Sequence, residues 1–206
     1  MVVVVRGAIN LPSKNRVNNS SDPYISSNII DFISGHKTDY RAKTVVKKRD
    51  CAPVYNEVYL MSGGVAFNQH LRFTVKNKNT FGDRHFGDVL LPWSTIACLT
   101  PLSDMELREN VFRLTQSDLP RVPSTSEIPA GFDETLAHLQ GDGAWLTLRG
   151  DSGSEKSGAR VCVALRRVNE FSLDVVQLPK IAPVVLTNMA VNQSANIDIS
   201  EQWLTS

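Results

Sequence analysis

Apolar and polar residues alternate over short stretches of this 206-residue chain. From Leu71 to Val75 the order is Leu–Arg–Phe–Thr–Val, which has the period of two of a strand with one buried face. Val161, Val163 and Leu165 repeat that alternation, perturbed at Ala164. Short runs rich in β-branched and aromatic residues predict further strands over Val2–Ala8, Tyr24–Phe32, Thr44–Lys48, Val54–Met61, Phe86–Leu91 and Ala144–Arg149. A last strand is expected over Arg160–Val168. Turn residues separate the runs, and many short strands so punctuated predict an all-β antiparallel sandwich.

Two stretches have helical character. Ser103 and Glu106 have capping-box spacing ahead of the run MELREN. Phe132, Leu136 and Leu139 fall at helical spacing, with Asp133 and Glu134 in the first turn and Gly141 and Gly143 as the stop. Residues 115–129 (TQSDLPRVPSTSEIP) read as a long surface loop, so an insertion of about 115–143 precedes the last strand pair. The core domain is expected over residues 1–170. The segment 171–206 is too short to bury its own apolar residues and too apolar for a simple disordered tail. It is expected to pack on the domain or on a partner through Val184, Val185, Leu186, Met189 and Trp203.

Composition adds exclusions. With 22 Lys+Arg against 21 Asp+Glu, no global field draws the chain to nucleic acid, so any electrostatic targeting must come from local clusters. Cys51, Cys98 and Cys162 are odd in number and widely spaced, which fits neither a disulfide framework nor a zinc site and suggests a reducing compartment. The run MVVVV is shorter than a secretion-signal core, and nothing approaches the ~20 apolar residues of a membrane span. The expectation is a cytoplasmic protein without a transmembrane segment. His36, His70, His85 and His138 have no companions at metal-ligand spacing, and no nucleophile elbow or phosphate loop is present. No enzymatic role and no cofactor are expected; His70 and His85 read as solvated residues at edges or in loops.

Four segments in order carry a family resemblance: VVVVRGAINLP, SSDPYI, AKTVVKKRDCAPVYNEVYL and LRFTVKNKNTFGDRHFGDVLLP. Together with AWLTLRG and SGARVCVALRRV near the end, they resemble the C2 domain, an eight-stranded β-sandwich known for calcium-dependent phospholipid binding. The resemblance covers roughly residues 1–98 and 144–168. It implies cation-binding loops at one end, where calcium needs ~6–8 hard oxygen ligands and compensating negative charge. At the positions implied, Asp22 is kept, but Arg16 stands where an aspartate is usual. Asn77, Lys78 and Asn79 replace an Asp-x-Asp pair, and Asp83 falls close to the last ligand position. Several carboxylates are thus exchanged for neutral or cationic groups, which lowers calcium affinity by orders of magnitude. Asp22 then reads as a residue that caps its turn through backbone N–H groups. No metal is expected.

Lys37, Arg41, Lys43, Lys47, Lys48 and Arg49 lie within thirteen residues. Strand alternation would point Arg41, Lys43 and Lys47 one way and Lys48 the other. The resemblance implies a basic patch of the kind through which some C2 domains bind phosphoinositides without calcium. An acidic protein partner and a merely solvated face are the competing accounts. On sequence alone the favoured function is a calcium-independent interaction or scaffolding module in a larger, cytoskeletal or ciliary assembly. The alternative is an anionic-phospholipid tether working through the basic strand, peripheral to a membrane.

Overall fold

The first strand, β1 (Val2–Ile9), is buried along its whole length, which a strand in a one-layer setting could not be. The computed structural model describes residues 1–13, 20–61, 66–103, 105–106, 131–150 and 155–168. In it β1 lies between β4 (Val54–Leu60) and β9 (Glu155–Val168), antiparallel to both. Val3, Val5 and Ala8 face the main core, while Val2 and Val4 join Val58 and Ala164 in a second cluster on the other face. A register shift between Val5 and Gly7 changes which side chains point inward.

The remaining elements are β2 (Pro23–Asp31), β3 (Lys37–Lys43), β5 (Gln69–Asn77), β6 (Arg84–Pro92), α1 (Trp93–Ala97), β7 (Pro101–Leu102), α2 (Phe132–Gln140) and β8 (Ala144–Arg149). Strand order is β3-β2-β5-β6-β8-β9-β1-β4, with β7 a short parallel partner of β9. β6 and β8 are joined by one bridge, Asp88 to Arg149, so the path divides into two four-stranded layers. Gly87 sits at that seam, where an added Cβ would come within 2.8 Å of the Arg149 carbonyl oxygen. Between the layers Ile25, Ile29, Leu71, Phe73, Val75 and Phe86 meet Val3, Val5, Val161, Val163 and Leu165. The fold is an all-β C2-like sandwich.

The alternation in Leu71–Val75 and Val161–Leu165 places those residues as expected, and α2 spans the predicted Phe132–Gln140 with Leu139 fully buried. Ser103 Oγ donates to the Glu106 carboxylate at 2.6 Å and accepts the Glu106 N–H at 3.4 Å, the reciprocal bonds of a capping box. Two buried arginines hold the end of α2. Arg166 donates to the carbonyls of Leu139 and Gly141, at 3.2 and 2.9 Å, and Arg6 Nε donates to that of Asp142 at 3.0 Å. A guanidinium over terminal helix carbonyls satisfies groups the helix leaves unpaired.

One expected strand is displaced. Thr44–Lys48 is not extended in a sheet; β3 is the preceding segment Lys37–Lys43, antiparallel to β2. Val45 and Val46 suggested a strand, but Val45 is exposed. In β3 it is Tyr40 and Ala42 that turn to the core. The last strand also begins earlier, at Glu155 rather than Arg160. The 115–129 loop and the 171–206 segment, including Val184, Val185, Leu186, Met189 and Trp203, lie outside the described residues.

Candidate functional site

Because side chains alternate, each strand of the β3-β2-β5-β6 layer sends half its residues away from the core. On β5 these are Arg72, Thr74 and Lys76, between the buried Leu71, Phe73 and Val75. On β2 they are Tyr24, Ser26 and Asn28, and on β3 Lys37, Arg41 and Lys43. Register aligns them in rows: Arg41, Asn28 and Arg72 are cross-strand partners, as are Lys43, Ser26 and Thr74. At a strand spacing of ~4.8 Å, Arg41 and Arg72 stand about 10 Å apart at their Cα atoms, within mutual reach of two guanidinium side chains.

The outer face holds a groove of about 470 Å³ lined by Ser26, Asn28, Lys37, Thr38, Arg41, Arg72, Thr74, Lys76, Asp83 and His85. Among the residues whose side chains are described, no carboxylate lies within 4 Å of the Lys37, Arg41 or Lys76 side-chain nitrogens. Arg72 is paired with Asp88, which His85 Nε2 also approaches at 3.2 Å. Burial pushes the Asp88 carboxyl up, but hydrogen bonds from Arg72, Thr74 and His85 outweigh this and leave it below the usual aspartate range. Cations, amide and hydroxyl donors converging on a concave face make a site for an anion with several oxygens.

Of the predicted basic cluster, Lys37 and Arg41 line the groove. Lys43 sits at its margin with Nζ 4.0 Å above the Tyr24 ring centroid, a cation–π contact. Lys47, Lys48 and Arg49 do not continue the strand as expected. They belong to the β3–β4 connection, where Lys47 N–H donates to the Pro23 carbonyl at 3.0 Å. The sequence reading missed Arg72 and Lys76, although the β5 alternation already put them on one face. It also misplaced His70 and His85, which lie within β5 and β6 and are half-buried.

The opposite question concerns the end where β1–β2, β3–β4 and β5–β6 connect. Asp22 Oδ1 accepts the Arg49 N–H at 2.8 Å, so the carboxylate ties a loop 27 residues away. Asp22 N–H donates to Asn77 Oδ1 at 2.6 Å, and the Asp22 carbonyl accepts Lys78 N–H at 2.8 Å. Asp83 accepts the Tyr24 hydroxyl at 2.6 Å, the Asn79 N–H at 3.3 Å, and pairs with Lys78 Nζ at 3.3 Å. The Tyr24 bond and then Lys78 hold Asp83 below the usual carboxylate range, while burial and Asp83 push Tyr24 up to about 12. Arg16 lies outside the described residues. Among the described residues no three His, Cys, Asp or Glu side chains are grouped to hold a metal ion.

A family model, C2 domain, matches residues 1–113. Among solved structures, the chain is similar to C2 domain A of plant extended synaptotagmin 1, at 17% identity over 82% of this chain and 95% of that one, with a TM-score of 0.49. It is also similar to C2 domain A of RIM from Drosophila, at 14% identity over 45% and 74%, TM-score 0.38. A third is a unit of extended synaptotagmin 2 that joins its SMP domain to C2 domains A and B, at 12% identity over 80% and 27%, TM-score 0.42. No curated protein matches the chain. Among the described residues no helix is long and apolar enough to cross a membrane.

Proposed function

The chain belongs to the C2 domain family, whose members bind membrane, calcium or protein, and from that premise we propose a non-catalytic, calcium-independent module that holds anionic phospholipid headgroups. The observation that carries the reading is the groove, where Lys37, Arg41 and Lys76 line a concavity of headgroup size and, among the described side chains, none of the three is paired with a carboxylate, Asp83 in the same lining being engaged by Tyr24 and Lys78. Clustered cations recognise phosphate by charge-assisted hydrogen bonds, and each Lys or Arg near an anionic surface contributes about 1 kcal/mol. Calcium fits poorly at the loop end: the Asp22 and Asp83 carboxylates are engaged by Arg49 N–H, Tyr24 and Lys78. An ion there would have to displace a resident ammonium group.

The adaptor reading takes second place. Its main support, the apolar 171–206 segment beyond a 1–170 domain, lies outside the described residues, and a concave groove suits a headgroup better than an acidic protein surface. Calorimetric titration with soluble inositol trisphosphate separates the two. Arg41→Glu and Lys76→Glu each reverse one charge, so each should weaken binding by about 2 kcal/mol, roughly thirtyfold, with unchanged melting temperature. Unaltered affinity in both variants overturns the headgroup reading. Binding of polyglutamate in place of the inositol phosphate supports the adaptor.

A further inference from the structure

The end of the sandwich opposite the cation-loop end presents three large apolar side chains to solvent. Phe32 is 71% exposed, Ile33 84% and Phe67 83%. They belong to two neighbouring turns, because Asp31 pairs with Gln69 and the Phe32 N–H donates to the Asn68 carbonyl at 2.8 Å. The turns are held from within. Asp31 Oδ1 accepts the N–H groups of Ile33 and Ser34, at 3.0 and 2.8 Å, and the Ser34 hydroxyl at 2.9 Å, while Oδ2 accepts Asn68 Nδ2. Gly35 takes a φ of +68° that allows the chain to return to β3. The Phe32 ring stacks on His70 at 4.9 Å, and Phe67 meets Trp93 edge-on at 5.5 Å. Apolar tips on pre-formed turns are unfavourable in water and useful only when something covers them.

The charge beside them says what covers them. Lys37, the first residue of β3, follows the Phe32–His36 turn directly and lines the basic groove, so the apolar tips adjoin the near end of the groove through Lys37, while Arg41 lies farther along the face and Lys76 towards the other end. The Asp31 carboxylate nearby is taken up by its four donors. Apolar residues next to cations complement an anionic bilayer, with tips in the acyl boundary and ammonium groups among the phosphates. We infer that this chain docks on anionic membranes through the β2–β3 turn and the 66–68 turn, with the cation-loop end pointing away. The inference rests on the groove reading and adds the orientation. Phe81, 98% exposed in the β5–β6 connection, marks the other end, about nine strand residues or ~30 Å away.

The test uses the full chain with phosphatidylcholine vesicles carrying phosphatidylinositol bisphosphate, and soluble inositol trisphosphate in parallel. Phe32→Ser with Phe67→Ser should lower vesicle partitioning by roughly tenfold for each ring removed, leaving the soluble titration unchanged. Phe81→Ser should leave both unchanged. Should the double variant unfold, Ile33→Trp gives an independent readout: its added emission should be quenched by brominated lipid. Loss of partitioning in Phe81→Ser with none in the double variant overturns the inference and leaves the groove reading intact. A silent inositol titration with partitioning still lost in the double variant overturns the groove reading and keeps the docking end. A wild-type dimer that the double variant converts to monomer assigns the patch to a second copy and overturns the inference.

Discussion

Asp88 ties the stability of the fold to the charge of its groove, and Asp88→Asn pulls the two apart. The carboxylate is half-buried beneath the outer face, paired with Arg72 and approached by His85. Asparagine keeps one acceptor oxygen but loses the charge, so the bonds it receives become ordinary. Hydrogen bonds to charged groups contribute about 1.5–3 kcal/mol against about 1 for neutral ones, which predicts a loss of about 1–2 kcal/mol of stability. The same change removes an anion beneath a groove whose ligand is an anion. At ~7 Å and a nearly water-like dielectric of ~50–80, as befits an open groove, that is about 0.6–1 kcal/mol, or roughly three- to fivefold tighter inositol phosphate binding. Urea unfolding and calorimetric titration on one preparation read both. The pH dependence has a fixed sign: Asp88 is depressed below the ordinary value of 3.8, so its contribution is present above that value and fades as pH falls through the folded pKa. The gap between wild type and variant should therefore close in acid. Weaker inositol phosphate binding in the variant would refute the electrostatic account of the groove.

Two further perturbations probe the scaffold. Glu57, 1% exposed, accepts the Val45 N–H at 3.1 Å and the Tyr59 hydroxyl. Glu57→Leu strands both donors and should cost about 3–5 kcal/mol in urea unfolding, whereas Glu57→Gln, which retains an acceptor, should cost less than half as much. Burial pushes the Cys162 thiol up to about 12, and Cys98 is exposed. Iodoacetamide at pH 8 should modify Cys98 first and Cys162 only on unfolding. Because the folded pKa values of Cys162 and Tyr24 are raised, their contribution is complete below about pH 9, and stability should fall as pH rises from there towards 12.

Much of the sandwich was legible because strand periodicity is local. Leu71, Phe73 and Val75 declare their buried face, and Phe132–Gln140 declares its helix by spacing and by its glycine stop. β3 was not legible, because KTDYRAK is mostly polar and is held as a strand by pairing with β2. Lys47 went astray with it. The groove was half legible for a related reason. A search for basic clusters along the sequence finds Lys37 and Arg41, yet cross-strand register brings Arg72 and Lys76 beside them from more than 30 residues away. Asp22 likewise finds Arg49 only through the meeting of two loops.

The function proposed for this C2 domain is binding of anionic headgroups without calcium. Flotation of the full chain with phosphatidylcholine vesicles, with and without phosphatidylinositol bisphosphate and always with a calcium chelator, tests it most directly. The chain should rise with the phosphoinositide vesicles alone, and replacing the chelator with millimolar calcium should not raise the bound fraction. Flotation that appears only with calcium, or equal recovery on both vesicle types, would contradict the account.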